Sequence, residues 1–187
     1  AMSDVMLDSQ ETAGVALAHQ GKVRDIYELP DDQLLLVATD RVSAFDVVLP
    51  NGIPRKGEVL TRTSAYWFER TSDVVPNHMV AVLDETTADE LHIDAGSEFF
   101  GRSMVVRKAE PLKVECVVRG YITGSGWADY QKQGSVSGIE LAPGLAQCQI
   151  LPEPLYTPST KADPPDHDAP LSFEETEGIF GAEIANV

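Results

Sequence analysis

Gly21-Lys22-Val23-Arg24-Asp25-Ile26-Tyr27-Glu28-Leu29-Pro30-Asp31-Asp32-Gln33-Leu34-Leu35-Leu36-Val37-Ala38-Thr39 reads as a β-hairpin. Lys22 to Leu29 alternates imperfectly between polar and apolar residues. Pro30-Asp31-Asp32 supplies turn chemistry, and Gln33 to Thr39 is an apolar strand. Gly21 leads into the hairpin. The first fifteen or so residues are small and polar and read as a short helix or a loose arm. Beyond it, Val47-Val48-Leu49 is a third short strand closed by the turn signal Pro50-Asn51-Gly52. From Gly57 to Thr71 the period changes. Leu60, Ser64, Trp67 and Phe68 recur at helical spacing and predict a helix packed on the sheet.

Further along, Val74 to Leu83 reads as a strand behind Pro76-Asn77, and Thr87 to Leu91 as a weak helical turn. Ser103 to Lys108 and Lys113 to Tyr121, joined by Glu110-Pro111-Leu112, are rich in valine and predict a paired hairpin. Gly120 to Gly126 is a glycine-rich loop ahead of a short helix from Trp127 to Gln133. Gly134 to Pro170 carries seven prolines and reads as a long ordered loop lining a site. Ser172-Phe173-Glu174-Glu175 is a capping box, after which Phe173, Phe180, Ile184 and Val187 share a helical face with no stop signal. That helix is expected to continue and the chain to be an N-terminal fragment. The expected fold class is α+β. An antiparallel sheet with a packed helix spans residues 1–112, and the start of a truncated second α/β domain spans 113–187.

The 187 residues include 14 Lys and Arg against 30 Asp and Glu, a formal net charge of -16. Such a surplus argues against nucleic acid as a partner, which needs a broad basic face. An anionic small molecule is still admissible. The general field decays over a Debye length of about 8 Å, so a local cluster of cations wins at short range. Lys22, Arg24, Arg41, Arg55, Lys56, Arg107, Lys108, Lys113, Arg119 and Lys161 sit in five short segments that also carry Gly, Ser, Thr or Pro. Acidic residues gather elsewhere, in Asp84 to Asp94 and Asp163 to Glu177. No apolar run approaches the roughly 18–20 residues of a membrane span, so no membrane partner is expected. No secretory leader pattern is expected at the start. Cys116 and Cys148 lack disulfide-scaffold or metal spacing, which points to a reducing cytoplasm. Cys116, among valines, is expected to be buried and inert.

Five segments carry chemistry. Gly21 to Tyr27 places Lys22 and Arg24 on a glycine-led hairpin where backbone N–H groups approach phosphate oxygens. Thr39 to Asp46 packs Asp40, Arg41, Ser43 and Asp46 between strands, either as a polar ligand site or as turn chemistry. Arg55 and Lys56 stand before a helix N-terminus. Alternation puts Glu115 and Arg119 on one strand face, and Ser125 follows in a Gly-flanked loop, a combination suited to a phosphate. Thr157 to Ala162 adds hydroxyls and Lys161, and His167-Asp168 adds an acid or base. Each segment alone is equally a solvated loop.

Taken in order, GKVRDIY (21–27), TDRVSAFDVVLPNGIPRKG (39–57), VECVVRGYITGSGW (114–127), LYTPSTKA (155–162) and HDAPLSFEE (167–175) resemble the SAICAR synthetase family of purine biosynthesis. The resemblance implies an ATP-dependent carboxylate–amine ligase. Such an enzyme joins L-aspartate to carboxyaminoimidazole ribonucleotide with ATP and Mg²⁺, yielding SAICAR, ADP and phosphate. It implies a kinase-like hairpin over ATP, with Lys22 and Arg24 at its phosphates, Val23 against the base and Val106 bordering the adenine. Glu115, Arg119 and Ser125 would hold the imidazole nucleotide, Arg119 and Ser125 at its 5′-phosphate. Ser43, Asp46, Lys56, and Lys161 with Asp168 as the catalytic pair, would form the aspartate and carboxylate side.

Family members continue for about half as many residues again, with Mg²⁺-binding carboxylates on a strand reading like DTKFEFG. No such motif occurs before Val187, so no metal ligand is assigned here, and the chain by itself is expected to be inactive while still binding nucleotide weakly. A homo-oligomer is left open. The competing reading is a non-catalytic purine-nucleotide-binding module.

Overall fold

The computed structural model describes residues 5–9, 15–44, 47–162 and 168–185. The fold is α+β, and the chain divides into two compact units, Ala1–Glu110 and Pro111–Val187. The first is built on a five-stranded antiparallel sheet. Its strands are β1 (Ala16–Gln20), β2 (Arg24–Leu29), β3 (Gln33–Ala38), β6 (Met79–Val82) and β7 (Ser103–Arg107). Their order across the sheet is β1-β2-β3-β7-β6. A small β4–β5 ribbon (Ser43–Ala44 and Val47–Val48) stands apart from it. The β2–β3 hairpin has unbroken register from Arg24↔Ala38 to Leu29↔Gln33. Its turn residues Asp31 and Asp32 both take left-handed φ, 57° and 58°, matching the twist of the flanking strands.

Strand β1 departs from the sequence reading. All five of its residues are exposed and its register slips between Leu17 and His19, so no alternation marks it. Gly21 therefore lies in the turn between β1 and β2, not ahead of a lone β2–β3 hairpin. The expected helix or arm at the start falls largely outside the described residues, and residues 5–9 are not helical.

Both faces of the sheet are covered. On one, Tyr27, Leu35, Val37 and Val105 pack with Leu83, Ala88, Ile93 and Phe99. On the other, Met104 and Val106 pack with Ala65, flanked by Leu34, Leu36 and Phe68, beneath α1 (Lys56–Arg70). Each fully buried side chain of this size contributes about 1.5–3 kcal/mol. The face α1 buries is Gly57, Thr61 and Ala65, whereas Leu60 is 38% and Trp67 57% exposed. The large residues of the predicted stripe therefore lie mostly outward. Small residues bring the helix backbone close to β3, and a Cβ at Gly57 would lie 1.9 Å from the Ala38 carbonyl oxygen.

The predicted pairing of Ser103–Lys108 with Lys113–Tyr121 is not formed. β7 lies between β3 and β6, and four of its five residues are buried, as a central strand requires. The helix α2 (Glu85–Glu90) is capped by Asp84, and a 3₁₀ turn spans Ser97–Phe99.

In the second unit β8 (Val114–Glu115) pairs with β13 (Ser159–Thr160), and β9 (Val118–Tyr121) with β12 (Ile150–Tyr156). Between them come α3 (Gly124–Gln133) and the β10–β11 hairpin, Ser135–Val136 and Ile139–Glu140. The expected long loop over Gly134–Pro170 thus carries four strands, β10 to β13, set between irregular stretches. Its prolines 152 and 154 fall where the β12 register breaks, between Ile150 and Leu155, so no ladder hydrogen bond is forfeited. Ile122, Val136 and Leu151 form the core here with Trp127, Tyr130 and Leu155. Helix α4 (Phe173–Phe180) begins in the Ser172–Glu175 capping box and stops at Gly181, where φ is 86°. The apolar stripe therefore divides between α4 and α5 (Ala182–Ala185) and is not one continuous helix. Cys116 is exposed, not buried, because the strand breaks around it between β8 and β9; its Sγ lies 3.4 Å from the Tyr156 hydroxyl. No helix among the described residues is long and apolar enough to cross a membrane.

Candidate functional site

In the first unit Lys22, Val23 and Arg24 lie at the β1–β2 turn. The Gly21 amide donates to the Arg24 carbonyl at 2.7 Å, which closes the turn. Lys22 and Arg24 are exposed and Val23 is half-buried. Thr39 fastens the turn from β3's end, its amide and hydroxyl donating to the Val23 carbonyl at 3.1 and 2.9 Å.

Beneath the turn lies Arg41, 8% exposed, paired with the fully buried Asp25 at 2.6 Å. Asp25 also accepts from the Ser9 hydroxyl. Register explains why a carboxylate is buried there: Asp25 lies opposite Val37 and shares the inward face of β2 with Tyr27. The sequence places Arg41 only in a polar loop and gives Asp25 no role by spacing. A charged residue at a strand position whose parity matches the core was the available signal.

A second interior pair lies alongside. Asp40 accepts from the Gly57 amide at 3.0 Å and the Met6 amide at 2.9 Å, and Arg102 Nη1 stands 3.0 Å from its Oδ1. Burial opposes its ionisation. The two amides and the Arg102 guanidinium outweigh that cost and hold the carboxyl below the ordinary 3.8. Lys56 reaches the Thr39 carbonyl at 3.4 Å. Burial lowers its pKa, Asp40 partly restores it, and the nearby Arg24 and Arg41 charges lower it again. Lys56 and Arg24 thus lie within electrostatic reach of each other in this unit.

Arg24 also lines a pocket on the α1 face of the sheet with Leu36, Ala38, Thr61, Ser64, Phe68, His78 and Met104. Burial, and then the charge of Arg107, hold the His78 imidazole pKa below 6.5. Val106, expected beside an adenine, is 2% exposed and packs in the core with Met104 and Ala65. Ser43 sits on β4 opposite Val48, and Asp46 lies outside the described residues.

The second unit holds the other group. Arg119 on β9 donates through Nε to Thr157 Oγ1 and through Nη2 to Ser125 Oγ, both at 3.0 Å. Thr157 is buried and passes its own proton to the Val117 carbonyl at 3.1 Å, which fixes it as an acceptor for Arg119. Ser125 lies within the first turn of α3, not in a loop before it. Gly126 makes room: a Cβ there would lie 3.3 Å from Arg119 Cδ and Nε. The result is a guanidinium braced on two hydroxyls at a helix start, suited to a phosphate dianion.

Glu115 does not meet Arg119. It pairs with Lys161 at 3.6 Å across the β8–β13 ladder, both side chains more than half exposed. Asp168 accepts from the Ala162 amide, next in the chain to Lys161, at 2.8 Å, while His167 lies outside the described residues. Among the described residues no group of three or more His, Cys, Asp or Glu is placed to hold a metal ion.

A family model described as SAICAR synthetase matches residues 17–187. The phosphoribosylaminoimidazole-succinocarboxamide synthase of Thermodesulfovibrio yellowstonii is 54% identical over 187 residues, covering 98% of this chain and 62% of that protein. That of Syntrophotalea carbinolica is 52% identical over 90% of this chain and 56% of its own length. The chain thus spans little more than half the length of such relatives. Among solved structures, SAICAR synthase of Saccharomyces cerevisiae, complexed with SAICAR, superposes with a TM-score of 0.79 at 38% identity. It covers all of this chain and 61% of that one. A type-2 SAICAR synthetase in complex with ADP shares the fold at TM-score 0.62 and 22% identity, covering 89% of this chain and 57% of that one. On the family match and these identities, the chain belongs to the SAICAR synthetase family.

Proposed function

We propose that the 187 residues supply the ATP hairpin and the imidazole-nucleotide seat of a ligase that joins L-aspartate to carboxyaminoimidazole ribonucleotide. The observation that carries this reading is the Arg119 guanidinium braced by Ser125 and Thr157, with two 3.0 Å bonds, at the start of α3. It is a preorganised anion seat in a chain whose net charge is -16. Family membership supports the reaction, and the yeast relative's complex with SAICAR supports the ligand class.

The chemistry follows from the reactants. A carboxylate is a poor electrophile, so its oxygen takes the terminal phosphoryl group of ATP and releases ADP. The aspartate amine then attacks the acyl carbon, phosphate leaves, and the amine proton goes to solvent or a nearby base. Mg²⁺ would neutralise the transferring phosphoryl group, and the described residues offer no cluster to hold it, so no step is assigned to it here. This chain's residues bind and orient. Lys22 and Arg24 face the ATP phosphates, Arg119 and Ser125 the 5′-phosphate. Lys161, its charge shared with Glu115, draws in the aspartate carboxylates, beside Asp168. Lys56, with Ser43 and Asp46, serves the carboxylate being activated, and Val23 borders the base, while Val106 supports the sheet from within the core. The site belongs to a cytoplasmic enzyme. With little more than half a relative's length present, the expected behaviour of these residues by themselves is binding without turnover.

Calorimetric titration with SAICAR tests the reading. The chain is expected to bind it, Arg119→Ala to lose about 100-fold in affinity, and the dephosphorylated riboside to bind both proteins equally weakly. A chain that binds ATP but ignores SAICAR would be a nucleotide-binding module instead.

A further inference from the structure

We propose that Arg41 is a positioning residue for the nucleotide phosphates, acting through the β1–β2 turn and never touching the ligand. A guanidinium carries five N–H donors in a planar fork. In Arg41, Nε donates to the Lys22 carbonyl at 3.1 Å. Nη1 donates to the Leu7 carbonyl at 2.8 Å and to Asp25 Oδ2 at 3.3 Å. Nη2 donates to the Gly21 carbonyl at 3.0 Å and to Asp25 Oδ1 at 2.6 Å. All five donors are engaged within the protein, so none remains for an anion.

Two of these bonds fall on consecutive carbonyls, and that decides what Arg41 does. In a trans peptide the C=O and N–H of one unit point in opposite directions. Pulling the Gly21 and Lys22 carbonyls down onto Arg41 turns the N–H groups of Lys22 and Val23 to the other side of the turn. Successive amides facing one way form a concavity for anions. Thr39 pins the next carbonyl, that of Val23, from β3's end, so the turn is held at three consecutive peptide units. Asp25 keeps the buried guanidinium neutralised. This inference rests on the ATP reading of the hairpin. Lysine could neutralise Asp25 equally well, but a point charge with three donors cannot span both carbonyls and both carboxylate oxygens.

The test is an amide ¹H–¹⁵N titration of the 187-residue chain with ATP, run on the wild type and on Arg41→Lys. The wild-type Val23 amide is expected to shift with ATP. In Arg41→Lys the same resonance should already be displaced without ligand, and ATP affinity should fall about tenfold, while core amides such as Leu35 and Val105 keep their positions. If Arg41→Lys binds ATP as tightly as wild type, the positioning role is overturned and the ATP reading stands. If the wild-type Val23 amide ignores millimolar ATP, both fall. Should Arg41→Lys fail to fold, Gly21→Ala replaces it. Its Cβ would lie 2.9 Å from the Arg24 carbonyl oxygen and disturb the turn without touching Arg41. Undiminished ATP affinity in that variant overturns the proposal.

Discussion

Asp40 and Arg102 form an interior ion pair, Oδ1 to Nη1 at 3.0 Å, with side chains 0% and 6% exposed. The pair bolts the loop after β3 to the start of β7, and the same carboxylate holds the first turn of α1 through the Gly57 amide. Because the folded pKa of Asp40 lies below 3.8, the unfolded chain takes up this proton first as the medium is acidified. Its stabilising effect is therefore complete above the unfolded value and is lost as pH falls through the lower folded one. Urea midpoints should drop from pH 5 towards pH 2, with a shallower drop in Asp40→Asn. At neutral pH that variant should cost about 3 kcal/mol, since it leaves the buried Arg102 guanidinium with only Glu58, 3.9 Å away, as a counter-charge.

Gly57→Ala separates propensity from packing. Alanine in a helix is favoured over glycine by about 1 kcal/mol. Here its Cβ would meet the Ala38 carbonyl oxygen at 1.9 Å, and α1 must move off β3. Overpacking of this kind costs about 1–3 kcal/mol or more, so the net change is destabilising. Thermal unfolding should show a lowered Tm.

His78 provides a second pH signature. Burial and Arg107 hold its folded pKa below 6.5, so the neutral ring is the folded form near neutrality. The unfolded chain then binds the proton first between the two values. Stability is full above 6.5 and declines as pH falls towards the folded pKa, where the decline ends. The imidazole ¹H shifts should titrate below 6.5, and Arg107→Gln should move that titration upward.

Legibility followed the locality of the signal. The β2–β3 hairpin is written in its own residues, an apolar run from Leu34 to Ala38 and an Asp31-Asp32 turn, and the Ser172–Glu175 box announces α4. Strand β1 is silent because it is exposed throughout. The partner of β7 is silent too, since strand pairing is decided by which neighbours need covering on both faces. The α1 face is hard to read because the large residues carry the periodicity while Gly57, Thr61 and Ala65 make the contact. At the site, alternation and a glycine-rich helix start were enough to place Arg119 near Ser125. Arg41 reaches residues 16 to 34 positions away, a relation no spacing rule encodes.

Gly126→Ala should move stability and binding in opposite directions. The glycine is within α3 and takes a backbone conformation open to alanine, so helix propensity favours the change by about 1 kcal/mol. The added Cβ would press on Arg119 Cδ and Nε at 3.3 Å. That is tight, and the side chain can yield only by loosening its bonds to Thr157 and Ser125. The Tm is therefore expected to hold or rise while affinity for SAICAR drops about fivefold, one weakened charge-assisted bond's worth. Affinity that stays level in a more stable variant would mean that the placement of the Arg119 stem against α3 is irrelevant to the phosphate seat.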